Sequence, residues 1–338
     1  QLTDAEALYT AYLRSHPQDT EVSELLSLLG DKLNQVAHGG DGPGPGTDVR
    51  EPAAQPVQDT SAELPPHSAA SAIPAETRVT ERPSAETGGR VTIATSIAPK
   101  DLAKQKRAIQ SWLDLGFDVL SLNVDRELKQ LQAEFPGVQF VCARRNGSKL
   151  AGKPYVFVDD VMAALKKAGG EVVGIVNSDI MLRSATHLPD DLSREAAGCL
   201  LYGSRVDVEN SEDSEGRLYH RGFDFFFFDS KIIDRLAKTN FMLGVPWWDY
   251  WLPYAVMQQG VPVKRIETPL AYHLRHAINY NLDHLTRFGE EFAAHCGDAP
   301  FVGLYQQCAG QSFEKGRFSV LSDGALDYLA RNSERLYL

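Results

Sequence analysis

Residues 171–182 have the sequence Glu-Val-Val-Gly-Ile-Val-Asn-Ser-Asp-Ile-Met-Leu, and this segment is the strongest indication of the fold class. Its first half, up to Val176, is an apolar run of strand length, as expected for a buried strand of a parallel sheet. The polar step Asn177-Ser178-Asp179 follows before the chain becomes apolar again. The stretch therefore predicts a central strand that ends at a crevice and presents a carboxylate there.

Strands and helices alternate on the N-terminal side of this stretch. Strands are predicted over 91–96, 118–123, 138–142 and 171–176, with helices over 101–115, 126–134 and 155–167 between them. Such alternation implies right-handed crossovers and a mainly parallel sheet flanked by helices, an α/β fold. Ligands bind sheets of this kind beyond the carboxyl ends of the strands. We therefore expect one crevice at the loops that follow four residues: Ser96, Asn123, Cys142 and Val176.

The first 89 residues differ in composition from the rest. Residues 1–37 carry two apolar stripes at helical spacing, separated by a turn at Pro17, and predict a helical hairpin. The hairpin resembles one tetratricopeptide repeat, and it is either an appendage without a ligand or a docking element for a protein partner. Residues 38–89 are rich in small residues and proline and poor in large apolar ones, which predicts a disordered linker. The α/β domain then occupies 90–338.

Charge and cysteine content restrict the class of protein. The net charge of -11 disfavours nucleic acid and anionic lipid as partners. No apolar run is long enough to span a bilayer, so no transmembrane segment is predicted. The four cysteines lie far apart and form no C-x-x-C pair, as expected for reduced thiols. The expected location is the cytoplasm, with peripheral attachment to the inner face of the membrane as an alternative.

Asp179 is the first candidate for metal binding. Mg²⁺ or Mn²⁺ is commonly held by one or two protein carboxylates together with diphosphate oxygens. The alternative is an aspartate that caps the turn after its strand, which is common at such positions. The place of Asp179 at the end of the fourth strand of an alternating pattern favours the metal.

Three segments resemble the GT-A glycosyltransferases. Val176–Ile180 is similar to the N-x-D-I form of their DxD motif, as found in nucleotide-diphospho-sugar transferase-like proteins. Arg221–Phe228 resembles the R-x-D-x-F-x-F strand of that family, and Gly244–Leu252 resembles its W-D-x-W-L segment. The resemblance covers roughly residues 90–290. It implies a GT-A fold, which is a Rossmann-like, mainly parallel sheet flanked by helices.

The resemblance also implies roles for particular residues. The last aspartate of the motif, here Asp179, would bind the metal, and Asn177 stands where many relatives carry another aspartate. A histidine on a C-terminal loop often completes the metal site, which makes His276 the first choice and His273 the second. Arg275 would contact the diphosphate. Both histidines can face one site only if this segment turns helically.

Asp249 is the candidate general base, at the start of a helix predicted to run to Met257. Aromatic neighbours lower the local dielectric, which raises the pKa of a carboxylate and suits proton abstraction. Their rings would also offer faces for a sugar. The alternative is an aspartate stabilised by the helix dipole, with the tryptophans in the core. The aromatic neighbours are Trp247, Trp248, Tyr250 and Trp251.

Asp224 is the second catalytic candidate. It lies in an apolar strand, where alternation directs it to the opposite face from Phe225. A charge in such a strand needs a partner, and Arg221 is the nearest cation in sequence. Asp224 is therefore either a site residue or half of a structural ion pair.

Polar and basic residues near the strand ends are the candidate contacts to a nucleotide sugar. The GT-A fold cradles the nucleoside after its first strand, and the basic loop after the third strand would hold uracil or phosphate. The set is Ser96, Ala98, Asn123, Arg145, Lys153, Asn177, Ser178, Arg221 and Trp248. Asp159 and Asp160 form a rival metal motif, but they fall early in a predicted helix and follow no strand.

Together, these features predict a metal-dependent glycosyltransferase of polysaccharide biosynthesis. The donor would be a nucleoside-diphosphate sugar, with UDP favoured, the acceptor a glycan hydroxyl, and the cofactor Mn²⁺ or Mg²⁺. A sugar nucleotidyltransferase is an alternative enzyme, although the loop over 96–99 contains no glycine. A catalytically inactive binding module, with the hairpin as a docking element, is the alternative outside enzymes.

Overall fold

The computed structural model describes residues 90–184, 187–275, 281–307 and 314–338. The predicted hairpin over 1–37 and the linker over 38–89 lie outside the described residues, as does His276. The strands within the described ranges are β1 (Thr92–Thr95), β2 (Asp118–Asn123), β3 (Gln139–Cys142), β4 (Val172–Val176), β5 (Ile180–Leu182), β6 (Leu200–Gly203), β7 (Val206–Val208), β8 (Arg217–Leu218), β9 (Phe225–Asp229), β10 (Val263–Ile266), β11 (Ala271–Leu274) and β12 (Glu334–Leu336).

The helices form between these strands and in the C-terminal part. They are α1 (Leu102–Asp114), α2 (Asp125–Glu134), α3 (Ser148–Ala151), α4 (Val158–Ala168), α5 (Leu188–Glu195), α6 (Trp248–Gln258), α7 (Leu282–Cys296), α8 (Pro300–Gln307) and α9 (Glu314–Asn332), and Ser230–Arg235 forms a 3₁₀ turn.

Eight strands make up the larger sheet, in the order β12-β10-β6-β9-β4-β1-β2-β3. All neighbouring pairs are parallel except the two pairs that β9 makes with β4 and with β6. The prediction of an α/β fold with a mainly parallel sheet flanked by helices is therefore confirmed. The carboxyl ends of β1, β2 and β4 lie along one edge, which is where the sequence predicts the crevice.

Helices cover both faces of this sheet. On one face α4, α6, α7, α8 and α9 contribute to one hydrophobic core, and on the other α1, α2 and α5 contribute to a second. Strand β9 joins the two, because Phe226 and Phe228 lie in the first core while Phe225 and Phe227 lie in the second. This alternation of side chains with a period of two residues is what a central strand buried on both faces requires.

A second, four-stranded sheet has the order β5-β11-β7-β8. Strand β5 continues the chain directly after the Asn177-Ser178-Asp179 step, and β11 pairs antiparallel with it, with His273 opposite Ile180. On its other side β11 pairs parallel with β7, which places His273 opposite Asp207. The small sheet therefore brings β11 and β7, which are distant in sequence, close to the turn that follows β4.

Several predicted bounds need correction. The helix expected from Tyr155 begins only at Val158, and the apolar strand in which Asp224 was expected to lie begins one residue later, at Phe225. The helical turn required for both histidines to face one site does not form over residues 271–274, because these residues form β11. Pairing with β5 and β7 determines the conformation there, and no local propensity reports such long-range partners.

Candidate functional site

The turn between β4 and β5 forms the centre of the candidate site. The backbone N–H of Ile180 donates to the carbonyl oxygen of Asn177 at 3.1 Å, which closes the turn. Asn177 bonds Asp224 twice, from its own N–H to the carbonyl oxygen at 3.0 Å and from its side-chain amide to Oδ1 at 2.8 Å. Asn177 therefore joins the turn to the start of β9, and its amide group is used within the protein.

His273 faces the carboxylate of Asp179 across this turn. The distance from His273 Nε2 to Asp179 Oδ2 is 3.5 Å, and His273 Nδ1 lies 2.9 Å from Asp207 Oδ1. Burial lowers the pKa of His273, but the bonds to Asp179 and Asp207 outweigh burial and raise that pKa to about 9. The imidazole is therefore oriented by one carboxylate and presents its other nitrogen to a second.

Arg205 connects this pair to Asp224. Its Nε donates to Asp207 Oδ1 at 2.8 Å, and its NH1 lies 3.2 Å and 3.1 Å from the two carboxylate oxygens of Asp224. Burial lowers the pKa of the guanidinium, and the charges of Asp224 and Asp207 outweigh burial and raise it. The guanidinium also stacks on Tyr219, 4.1 Å from the ring centre. Asp224 is thus half of a buried ion pair, and its partner is Arg205 instead of the predicted Arg221.

Asp249 lies in the first turn of α6, as predicted. Burial raises the pKa of Asp249 to about 7, and the negative charge of Asp224 adds to this effect. Hydrogen bonds from backbone N–H groups, such as that of Phe223 at 3.1 Å, act in the opposite direction but do not cancel it. The residue keeps partial solvent exposure. Gly222 passes close to it, because a Cβ atom at Gly222 would lie 3.0 Å from Asp249 Oδ2, and its φ of 145° suits glycine.

The four aromatic residues around Asp249 belong to the core, which is the second of the two interpretations of this segment. All four have exposed fractions of 2–7%, so none presents an open face to a sugar. Trp248 packs on Phe226 with 5.1 Å between ring centres, which corrects its assignment as a donor contact. Trp247 has the left-handed φ of 83°, and its indole N–H bonds the carbonyl oxygen of Leu285 at 2.9 Å.

Polar side chains of the domain form hydrogen bonds to the backbone of the loop after β1. Asn123 has an exposed fraction of 1% and donates to the carbonyl oxygen of Ile97 at 2.8 Å and to Glu127 at 3.0 Å. A buried amide with these partners supports the loop and does not touch a ligand, which corrects the prediction for Asn123. The backbone groups of Ala98 are both bonded to Gln105, whereas Ser96 keeps part of its surface exposed.

The basic loop after β3 is partly paired. Arg145 Nε lies 3.0 Å and 2.9 Å from the carboxylate oxygens of Asp160, and its guanidinium stacks on Phe157 at 4.3 Å. Asp159 and Asp160 lie in the first turn of α4, where the sequence predicts a helix and no strand end. Lys153 is exposed nearby. The loop therefore offers Arg145, which is already paired with Asp160, and the exposed Lys153 as cations.

Two further arginines differ from expectation. Arg221 NH2 lies 3.7 Å from Asp323, on α9. Arg275, predicted to contact a diphosphate, donates to Glu209 Oε1 at 2.6 Å. Each of the two guanidinium groups therefore already has a carboxylate partner within the protein.

Three residues of the site were not predicted from the sequence: Arg205, Asp207 and Gln105. Arg205 directly precedes β7 and Asp207 lies in it, two positions further on, so both side chains are on the same face of the strand. Two opposite charges at this spacing could have predicted an ion pair. Gln105 falls in the buried stripe of α1, three and four residues before Ala108 and Ile109. A polar side chain in an apolar helical stripe indicates buried hydrogen-bond partners.

No group of three or more His, Cys, Asp or Glu side chains is arranged to hold a metal within the described ranges. His276, the preferred third ligand, lies outside them. Among the described helices, none has the length and apolar character that crossing a membrane requires.

Comparisons with known proteins give fold-level similarities only. No protein-family model and no curated protein matches the sequence. Among solved structures, the chain is similar to the mannosyltransferase PcManGT from Pyrobaculum calidifontis in complex with GDP-Man and Mn²⁺, at 13% identity and a TM-score of 0.40, covering 72% of this chain and 74% of that one. It is also similar to HddC from Yersinia pseudotuberculosis (11% identity, TM-score 0.31, 55% of this chain and 89% of that one). A third similarity is to 4-diphosphocytidyl-2C-methyl-D-erythritol synthase from Anaerococcus prevotii (8% identity, TM-score 0.33, 58% of this chain and 94% of that one). Similarities of this size do not assign an activity.

Proposed function

We propose that residues 90–338 form a metal-dependent glycosyltransferase that moves a sugar from a nucleoside-diphosphate sugar, with UDP favoured, to a glycan hydroxyl. The observation that carries the proposal is the position of Asp179. Its carboxylate lies at the carboxyl end of β4 and faces the oriented imidazole of His273 at 3.5 Å. The resemblance of Val176–Ile180 to the DxD motif supports the same assignment.

The donor set at this position fits a divalent cation. Asp179 offers a carboxylate oxygen. His273 would offer Nε2 once a bound cation displaces the proton that its raised pKa, about 9, retains there, and Asp207 bonds the other nitrogen as ligand histidines require. Two protein ligands leave coordination positions for diphosphate oxygens, which is the arrangement common for Mg²⁺ and Mn²⁺. The cation would supply neutralisation of charge on the departing diphosphate. His276 stays a predicted third ligand.

Asp249 would serve as the base for an inverting transfer. The carboxylate accepts the proton of the acceptor hydroxyl while the hydroxyl oxygen bonds the anomeric carbon and the bond from that carbon to the diphosphate breaks. A pKa of about 7 suits this task near neutral pH. If the enzyme retains configuration, Asp249 instead orients the acceptor. Ser96, Arg145 and Lys153 are the proposed donor contacts, whereas the hydroxyl of Ser178 donates to Gln105.

Nucleotide binding with and without Mn²⁺ tests the metal assignment. We expect calorimetry to detect Mn²⁺-dependent binding of UDP or GDP to the wild type and not to Asp179→Asn. Asp234→Asn is the matched control, because Asp234 is exposed in the 3₁₀ turn after β9 and pairs with Lys166. Equal Mn²⁺-dependent binding by Asp179→Asn would refute the assignment.

A donor screen distinguishes the proposed activity from its alternatives. UDP-, GDP-, CMP- and dTDP-sugars, followed by mass spectrometry, should show sugar transfer or slow donor hydrolysis for the glycosyltransferase. Nucleotide-sugar formation from a nucleoside triphosphate and a sugar phosphate would indicate a nucleotidyltransferase. Nucleotide binding without turnover of any donor would indicate a binding module.

A further inference from the structure

We infer that Gln105 is a positioning residue that fixes the nucleotide-binding loop after β1 relative to Asp179. It would thereby fix the distance between the site for the nucleoside and the site for the metal-bound diphosphate. The inference rests on the proposed function and concerns the same site. Gln105 lies on α1 and is 4% exposed, so it cannot itself contact a ligand. Its effect would pass through the groups to which it is bonded.

The Gln105 amide makes four hydrogen bonds. Its Nε2 donates to the carbonyl oxygens of Ala98 at 2.9 Å and of Lys100 at 2.6 Å. Its Oε1 accepts from the N–H of Ala98 at 2.7 Å and from the hydroxyl of Ser178 at 2.8 Å. Two N–H donors and two lone pairs are the full capacity of an amide, so no other side chain of this size reproduces the set.

The partners of Gln105 belong to two different parts of the proposed site. Ala98 and Lys100 are in the loop after β1, where a GT-A fold would cradle the nucleoside. Ser178 precedes Asp179, the proposed metal ligand, in the turn after β4. One buried side chain therefore links the nucleoside loop directly to the residue beside the metal ligand.

The remaining backbone groups of the loop are held from β2. The N–H of Ile97 donates to Ser121 Oγ at 3.1 Å, Asn123 donates to the carbonyl oxygen of Ile97 at 2.8 Å, and Ser121 donates to Asn123 at 2.7 Å. The loop ends at Asp101, which has a left-handed φ of 50°. The bonds from Ser121, Asn123 and Gln105 hold the backbone of the loop without a nucleotide, so the loop is preformed.

A preformed loop lowers the entropic cost of binding, and loss of its support raises that cost. Gln105→Glu replaces two donors with a carboxylate oxygen that faces the carbonyl oxygens of Ala98 and Lys100. Gln105→Met keeps the length and removes all four bonds. Both changes should weaken nucleotide binding while the chemical groups at Asp179 and Asp249 stay in place.

The experiment measures nucleotide affinity, donor kinetics and thermal melting on the full chain. We expect Gln105→Glu to weaken Mn²⁺-dependent binding of UDP or GDP by about tenfold or more, a difference of about 1.4 kcal/mol. The donor KM should rise by a similar factor, with a smaller change in kcat. Gln110→Glu is the matched control, because Gln110 is exposed on the same helix, and it should bind like the wild type.

Ser178→Ala keeps the inference testable if the Gln105 variants fold poorly. It removes one bond at a partly exposed position, and we expect binding about threefold to tenfold weaker at an unchanged melting temperature. The double variant Gln105→Met/Ser178→Ala should bind no more weakly than Gln105→Met, because the lost bond is shared. Wild-type affinity in folded Gln105→Glu or in Ser178→Ala would overturn the inference. Absence of nucleotide binding by the wild type would overturn the proposed function with it.

Discussion

Replacing Asp249 with asparagine removes a carboxyl group whose pKa is raised by burial to about 7. In the unfolded chain this carboxyl loses its proton near its ordinary value of 3.8. Between these two values the folded state keeps a proton that the unfolded state has lost. Stability falls with rising pH wherever the folded state binds more protons, so Asp249 contributes stability below pH 4 that is lost as the pH rises through 7.

The size of this contribution follows from the two pKa values. A rise from 3.8 to about 7 corresponds to about 4 kcal/mol. The partial exposure of Asp249 allows water to screen some of the penalty, which leaves about 2–4 kcal/mol. Asparagine keeps an oxygen that accepts from the N–H of Phe223 and does not titrate. About three quarters of this change falls between about pH 4.5 and about pH 8, so the variant should gain about 1.5–3 kcal/mol of stability relative to the wild type over that interval.

Urea unfolding of both proteins at the two pH values measures the difference. Comparing the variants at each pH removes the contribution of every other titrating group. Asp327→Asn serves as the control, because Asp327 is exposed on α9 and pairs only across one helical turn with Arg331. Its pH dependence should match that of the wild type. Parallel pH profiles for wild type and Asp249→Asn would refute the raised pKa and, with it, the reason for choosing this residue as the base.

Three further outcomes are expected. Asp249→Asn should lower transfer by roughly two to four orders of magnitude with little change in nucleotide affinity, as measured by steady-state kinetics and calorimetry; equal losses in both would indicate a structural role. Removal of residues 1–88 should leave a cooperative melting transition and nucleotide binding, because two hydrophobic cores form within 90–338. Arg205→Met should cost about 3–5 kcal/mol in urea unfolding, because it leaves buried Asp224 without its cation, and adding Asp224→Asn should restore part of the loss.

The larger sheet could be predicted from the sequence because each of its first four strands can be recognised from the pattern of neighbouring residues. Residues 172–176 form an apolar run of five buried positions, and the elements before it alternate with clear helical and strand periods. The second sheet could not be predicted in the same way. Strands β5, β7 and β8 have two or three residues each, which is too short for a period to be counted. Their pairing depends on contacts between distant segments.

The same distinction applies to the site. Asp179 and Asp249 were identified because each has a local signal, a strand end in one case and an aromatic helix start in the other. The partner of Asp224 was wrong because proximity in sequence favoured Arg221, whereas strand pairing placed Arg205 beside it. Asn123 was assigned to the ligand for its place at a strand end, yet the loop after β1 folds over it.

Asp224 influences the proposed chemistry without contacting substrate. It forms an ion pair with Arg205, and its charge adds to burial in raising the pKa of Asp249. Asp179 differs, because its carboxylate is partly exposed and lies 3.5 Å from Nε2 of His273, so that one cation could reach both groups in place of the histidine proton. A cation placed beside Asp249 would lower its pKa and weaken it as a base near neutral pH. The negative charge of Asp224 has the opposite effect on the pKa of Asp249, and it favours a base that works near neutral pH.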